Sequence, residues 1–226
     1  MTKKEGEARR VPTAQIVREY IETHPSIKDC LVDGLINLSA LSRKIMEERG
    51  VTQMEATLVA ARRFETTAPR HNERSIRATL AKSRVEVSSR VAIVTLRNDW
   101  QLYAKLQGFM RRALSEGHVP KVLQGSKAIT LITDENTAKI VEEELGRGSL
   151  VSMDTGLVEI SVTSPESIRF TPGIMAFLYS SLSSNGINVV ETMSCYTDTI
   201  FILEPKDMTR AFEVLTKIIG GSGGKT

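Results

Sequence analysis

Cysteine is almost absent. Cys30 and Cys195 are the two in 226 residues, and they fall in different segments. That excludes a disulfide framework, and a thiolate metal site would need partners the sequence does not supply. Histidine is as scarce. His24, His71 and His118 stand alone, with no cysteine or carboxylate at ligand spacing. Each reads as a solvated or helix-capping residue, and neither a metal nor a cofactor is expected. No apolar run approaches the ~20 residues that a bilayer-spanning helix needs, so no membrane partner is expected. The basic start, MTKKEGEARR, is followed by no apolar stretch. It is therefore not read as a signal peptide, and the cytoplasm is the expected location. No Ser/His/Asp or Cys/His arrangement follows the logic of a nucleophile and its base. No catalytic residue is assigned, and a non-enzyme is expected. The end, Gly224-Lys225-Thr226, has Ile219 where a phosphate loop needs glycine, and no helix can follow it there.

What is present is ordinary for a soluble globular chain: 41% hydrophobic and 25% charged residues. The length suits one large domain or two to three small ones. Charge is uneven. Residues 1–90 hold 17 Lys+Arg against 12 Asp+Glu, and residues 91–226 hold 13 against 15. A basic front and a mildly acidic rear suggest two parts with different partners. An Arg-rich solvated helical surface fits the same counts.

The front third has helical periodicity. Ile16, Val17, Tyr20 and Ile21 follow Pro12 at helical spacing. His24-Pro25 ends that run, and Ser26 is the expected cap of the next. Leu38, Leu41 and Ile45 form another, closed by Gly50. Thr52 and Glu55 have the spacing of a capping box ahead of Met54, Leu58 and Ala61. A further helix is expected over 73–82. The stretches 38–45 and 53–64, with a turn over 48–51, read in one way as a helix-turn-helix. Gln53, Thr57, Arg62 and Arg63 would then approach DNA, with Arg70, Arg74 and Arg77 on phosphates. Read in the other way, the same helices form a dimerisation or protein-docking domain.

Near Arg84 the period changes from helical to alternating. Val85 and Val87 alternate with polar residues, and a β-α-β-β-α-β order follows: strands at 91–97, 119–123, 128–133 and 150–153, helices at 100–114 and 136–145, the second capped by Asp134. The order then restarts. Strand 157–162 leads to Thr171 and Pro172, read as a cap and first-turn proline, and to a helix with Ile174, Phe177, Leu178 and Leu182. Strands 187–195 and 199–203 and a helix over 205–219 complete it. This is an internal repeat of ferredoxin-like units. The second copy lacks a final strand, because GGSGGKT follows its last helix, and 84–88 is expected to supply it.

The stretch 156–219 resembles the ACT domain, most closely the ACT domains that end aspartokinases. The resemblance rests on the strand 157–162, on Thr171-Pro172-Gly173-Ile174, on Asn185-Gly186-Ile187-Asn188-Val189, and on 199–203 with Ala211, Val214 and Leu215. The copy at 91–153 resembles it only in order and period, with Asn98-Asp99-Trp100 in place of the Pro-Gly turn. It is expected to be the structural partner. The whole chain looks like archaeal-type regulators of amino-acid metabolism that join a helical front to ACT repeats. The fold expected is thus α+β: a helical segment over 1–83, ACT-like repeats over 84–154 and 155–219, and a flexible tail over 220–226. The resemblance implies that an amino acid or similar small effector binds at an ACT–ACT interface, within the chain or across a homodimer. The effector residues it implies are Pro172, Gly173, Ile174, Asn188 and Val189, joined by Thr171 at the expected helix start and Ile187 beside the pocket. The residue chemistry agrees. Glycine admits close backbone approach, a helix start attracts a carboxylate, and Asn188 can meet both an ammonium and a carboxylate. Helix starts and turns use the same residues where no ligand binds. An interaction protein that only oligomerises through its ACT repeats, and a DNA-binding regulator with an ACT sensor, are the competing expectations.

Overall fold

A computed structural model describes residues 11–68 and 73–220. The chain divides into two compact units, residues 1–72 and 73–226. The division falls ahead of the expected boundary at 83, because the helix that follows residue 72 buries Ile76 and Leu80 in the core of the sheet unit.

The first unit holds helices α1 (Thr13–Glu22), α2 (Pro25–Val32), α3 (Leu38–Arg49) and α4 (Met54–Thr67). Val17, Tyr20, Ile21, Leu31, Leu41, Ile45 and Ala61 form its core, the helical periodicity read from the sequence. Two expected caps differ. Pro25 takes the first position of α2, with His24 as the cap residue, so Ser26 lies inside the helix. The fixed φ and missing N–H of proline suit a first turn. At α4 the cap residue is Gln53, without a side-chain cap bond. The Thr52–Glu55 box does not form, and Gln53 Oε1 instead accepts from Thr13 Oγ1 at 3.2 Å. The link between α3 and α4 is four residues long, 50–53, opened by Gly50 at φ 66. That is the usual length for a helix-turn-helix.

In the second unit, α5 (Glu73–Leu80) leads into β1 (Arg84–Arg97). Then come α6 (Trp100–Ser115), β2 (Lys121–Gln124), β3 (Ala128–Asp134), α7 (Glu135–Leu145), β4 (Leu150–Thr163), α8 (Ile174–Ser184), β5 (Val189–Cys195), β6 (Asp198–Leu203) and α9 (Met208–Gly220). One antiparallel sheet runs β2-β3-β1-β4-β6-β5. The short strands expected at 84–88 and 91–97 are one long strand, as are those at 150–153 and 157–162. Each long strand therefore serves both copies. Residues 150–154 of β4 pair with 93–96 of β1 and close the first copy. Residues 84–88 of β1 pair with 159–163 of β4 and supply the strand the second copy lacks, as expected.

Both long strands are bulged where they pass from one copy to the other. The register slips between Ser88 and Val91, where Arg90 has φ 58, and again near Gly156, at φ 74. Bulges add twist, and the sheet curls on itself. Lys121 pairs with Ile132, Ile132 with Ile93, and Ile93 with Asp154, five residues short of Glu159. A flat sheet would hold Lys121 and Glu159 about 20 Å apart. In this one Lys121 Nζ is 2.9 and 2.8 Å from the two carboxylate oxygens. The curl buries Val91, Ile93, Ile132, Leu157, Ile200 and Ile202 on the face away from the helices. Ala92, Val94 and Leu96 pack under α6 and α7. Ile160, Val162, Phe201 and Leu203 pack under α5, α8 and α9.

Candidate functional site

Strand β4 ends at Thr163, and a 3-10 turn, Glu166–Phe170, carries the chain to Thr171, Pro172 and Gly173. Helix α8 starts two residues later than the sequence suggested. Gly173 is its cap residue, at φ 92, and Thr171 is extended at φ −108. A left-handed cap is open to glycine and costly to other residues. The first amides of α8 have no intrahelical acceptor. Pro172 in front of them is exposed, and Gly173 is half-buried. Thr171 is fixed from behind, its Oγ1 donating to the Ser167 carbonyl at 2.8 Å.

Helix α5 holds the turn in place. Thr79 Oγ1 lies 3.4 Å from Thr171 Oγ1 and 3.5 Å from Ser167 Oγ. Ser83 Oγ donates to Ser164 Oγ at 2.8 Å, and both serines are buried. Thr79 and Ser83 were not among the residues singled out in the sequence. The signal was present: hydroxyls at 79 and 83 share one helical face with Ile76 and Leu80. On the sheet side Thr199, also buried, places Oγ1 3.8 Å from Met175 Sδ in the first turn of α8.

The other half of the expected mouth lies elsewhere. Val189 pairs with Leu203, and Leu203 with Val158, at the start of the second-copy part of β4. Thr163 and the turn are at its end. Helix α8 has 11 residues, about 16 Å of rise, and it separates Gly173 from Asn185 and Asn188. Asn188, exposed as it is, does not face the same mouth as Gly173 within one chain. Ile174 and Ile187 are buried in the core and present no side chain to a ligand. The structure thus groups Thr171, Pro172 and Gly173, and sets Asn188 and Val189 apart from them.

Residues 152–217 match the ACT domain family model. The ACT match begins within β4, covers α8, β5 and β6, and ends within α9. No curated protein sequence matches the chain. Among solved structures, the fold is similar to aspartate kinase from Clostridium acetobutylicum, at 13% identity and a TM-score of 0.50. That alignment covers 60% of this chain and 34% of the kinase, so the chain spans about a third of that enzyme. The ligand-free regulatory subunit of aspartate kinase from Thermus thermophilus aligns at 14% identity and TM-score 0.49, over 59% of this chain and 95% of that one. The regulatory subunit from Thermus flavus gives 13% and 0.48, with the same coverage. The sheet unit is thus a mixed helix and antiparallel-sheet fold, similar to part of the Clostridium kinase.

The residues read as a DNA surface separate. Arg62 and Arg63 are exposed on α4. Thr57 is buried, with Oγ1 donating to the Gln53 carbonyl at 2.8 Å, and offers nothing to a partner. Arg77 belongs to the sheet unit, 2.6 Å from Glu73 and 5.4 Å from the Phe177 ring centre. Arg70 and His71 lie outside the described residues, as does the tail beyond Gly220. The basic excess of the front also divides. Residues 11–68 hold 7 Lys+Arg and 8 Asp+Glu, and residues 73–90 hold 5 and 2. No helix of the described residues is long and apolar enough to cross a membrane. None of their His, Cys, Asp and Glu form a group of three or more that could hold a metal ion.

Proposed function

We propose that residues 73–220 form an amino-acid-sensing regulatory unit. The effector's carboxylate meets the first amides of α8 beside Thr171, Pro172 and Gly173, and a second ACT unit covers it. The observation that carries the reading is Gly173 at φ 92, capping α8 directly behind an exposed Pro172. Oriented amides at a helix start and a left-handed glycine suit an anion, and α5 holds the turn from behind. The match of 152–217 to the ACT family supports the same reading, as does the likeness of fold to an aspartate kinase, a protein described as an allosteric enzyme. Ile174 fixes the turn from the core, and Ile187 is buried at the other end of α8. Asn188 and Val189 could touch an effector only across an interface with another copy. We read the unit as a binding module rather than an enzyme.

The helical unit is proposed as the output. Its α3–α4 link has helix-turn-helix length, but a near-balanced charge gives little attraction to a phosphate backbone. Protein docking is therefore the favoured reading. A gel shift in low salt discriminates: salt-sensitive DNA binding lost on Arg62→Ala with Arg63→Ala would reverse that preference. The effector reading is tested by thermal shift with each of the twenty amino acids. At 100-fold excess over Kd a ligand stabilises by about 2.7 kcal/mol, a readily seen rise in Tm. No shift with any of them would remove amino-acid sensing.

A further inference from the structure

Two large aromatic side chains stand in solvent at the end of the sheet where β4 finishes. Phe170 is 75% exposed and Tyr196 is 63% exposed. Arg169 lies between them, its guanidinium carbon 5.5 Å from the Phe170 ring centre and 5.3 Å from that of Tyr196. Arg169 Nη1 is also 3.3 Å from Glu166 Oε1, and both of those side chains remain largely exposed. Tyr196 has φ 54 in the two-residue link between β5 and β6. Hairpin links of that length use Asn or Gly at such an angle, and a bulky residue is strained there. Local folding gains little from a tyrosine at 196 or a phenylalanine at 170, only a weak exposed contact of each ring with Arg169. Both rings are held out by a turn and an arginine, where association would reward them.

We propose that this patch is the surface on which two copies of the chain associate about a twofold axis. A twofold contact sets one patch against itself, so the patch must be self-complementary. This one is. Its rings can cover the rings of the other copy, and Arg169 can meet Glu166 of the partner subunit. With one cation and one carboxylate it has no excess charge with which to hold a polyphosphate. Aromatic residues with arginine are the usual make-up of the energetic centre of an interface. The patch is small, so the association is a weak and reversible one. Thr171 follows Phe170 directly, and a copy docked here covers the start of α8. The proposal thus names the covering surface in the effector reading. It is tested with no amino acid present, so the two fail separately.

The test is sedimentation equilibrium of the full chain over a wide concentration range. The wild type is expected in reversible monomer–dimer exchange. Glu166→Arg leaves two cations on the patch and Arg169→Glu two carboxylates. Each alone is expected to be monomeric, and an equimolar mixture of the two to regain the dimer. Tyr196→Gly is expected to lose the dimer without a lower Tm, because glycine accepts the left-handed turn. A wild type that stays monomeric overturns the proposal, as does a dimer that all three variants retain. Folded single variants that do not recover on mixing overturn it too.

Discussion

Glu135 accepts the amide hydrogen of Gly156 on one carboxylate oxygen, at 2.9 Å. Its other oxygen lies 3.6 Å from Arg90 Nε. Gly156 and Arg90 are the left-handed residues at the two bulges, so one carboxylate at the start of α7 ties together the points where β1 and β4 pass between copies. A Cβ at Gly156 would meet no atom within 4 Å, so a substitution there is opposed by backbone angle alone. Gly156→Ala is expected to cost about 1–2 kcal/mol in urea unfolding. Gly148→Ala, also in open space but outside the left-handed region, is expected to change stability little. Equal effects of the two would remove the role given to the bulge.

Lys121 and Glu159 test the curl of the sheet. Glu159 also accepts from Ser161 Oγ at 2.8 Å, and its side chain is 9% exposed against 30% for Lys121. Lys121→Met leaves a carboxylate buried without its cation. The expected loss is about 2–3 kcal/mol, below the range for a fully buried pair because Lys121 keeps some solvent. In the first copy Ile93 pairs with Ile132 as Glu159 pairs with Ile202. Glu159→Ile added to Lys121→Met is therefore expected to restore most of the stability. Losses that simply add would mean that the two groups do not meet.

Asp134 caps α7, accepting from the amides of Asn136 and Thr137 at 3.0 Å each and from Thr137 Oγ1 at 2.6 Å. Partial burial pushes its carboxyl up. The Thr137 side-chain and backbone bonds outweigh that, with His118 and the Asn136 amide, and the net direction is below the ordinary 3.8. A lowered folded value means stability that is full above pH 3.8 and is lost as pH falls through the folded value. Asp134→Ala is expected to cost about 1 kcal/mol at neutral pH. Asp134→Asn is expected to keep most of the cap and to lose less stability than wild type between pH 5 and 2. Melting curves across that range check both. An unchanged acid limb in Asp134→Asn would contradict the assignment.

The long apolar periodicities were readable, and so was the doubled β-α-β-β-α order, because burial of one face dictates both. The strand borrowed from 84–88 was inferable from a missing element. What the sequence could not reveal was continuity: nothing in Ser88-Ser89-Arg90 or Asp154-Thr155-Gly156 distinguishes a bulge from a loop. That Pro172-Gly173 and Asn188 do not meet within one chain has a simpler reason. Residues joined in one motif can sit at opposite ends of the helix between them. Thr57 was misread because its hydroxyl satisfies its own helix, and Thr171 because glycine, not threonine, caps α8.

The central claim is that an amino-acid effector sits at the start of α8. Calorimetric titration of the amino acid that gives the largest thermal shift tests it most directly, against wild type, Thr171→Val, Gly173→Ala and Asn188→Ala. The account predicts saturable binding to wild type and at least a tenfold loss, about 1.4 kcal/mol, in Thr171→Val and Gly173→Ala with the circular dichroism of the folded chain retained. A folded Gly173→Ala protein that binds as tightly as wild type, or a wild type that binds none of the twenty, would contradict it.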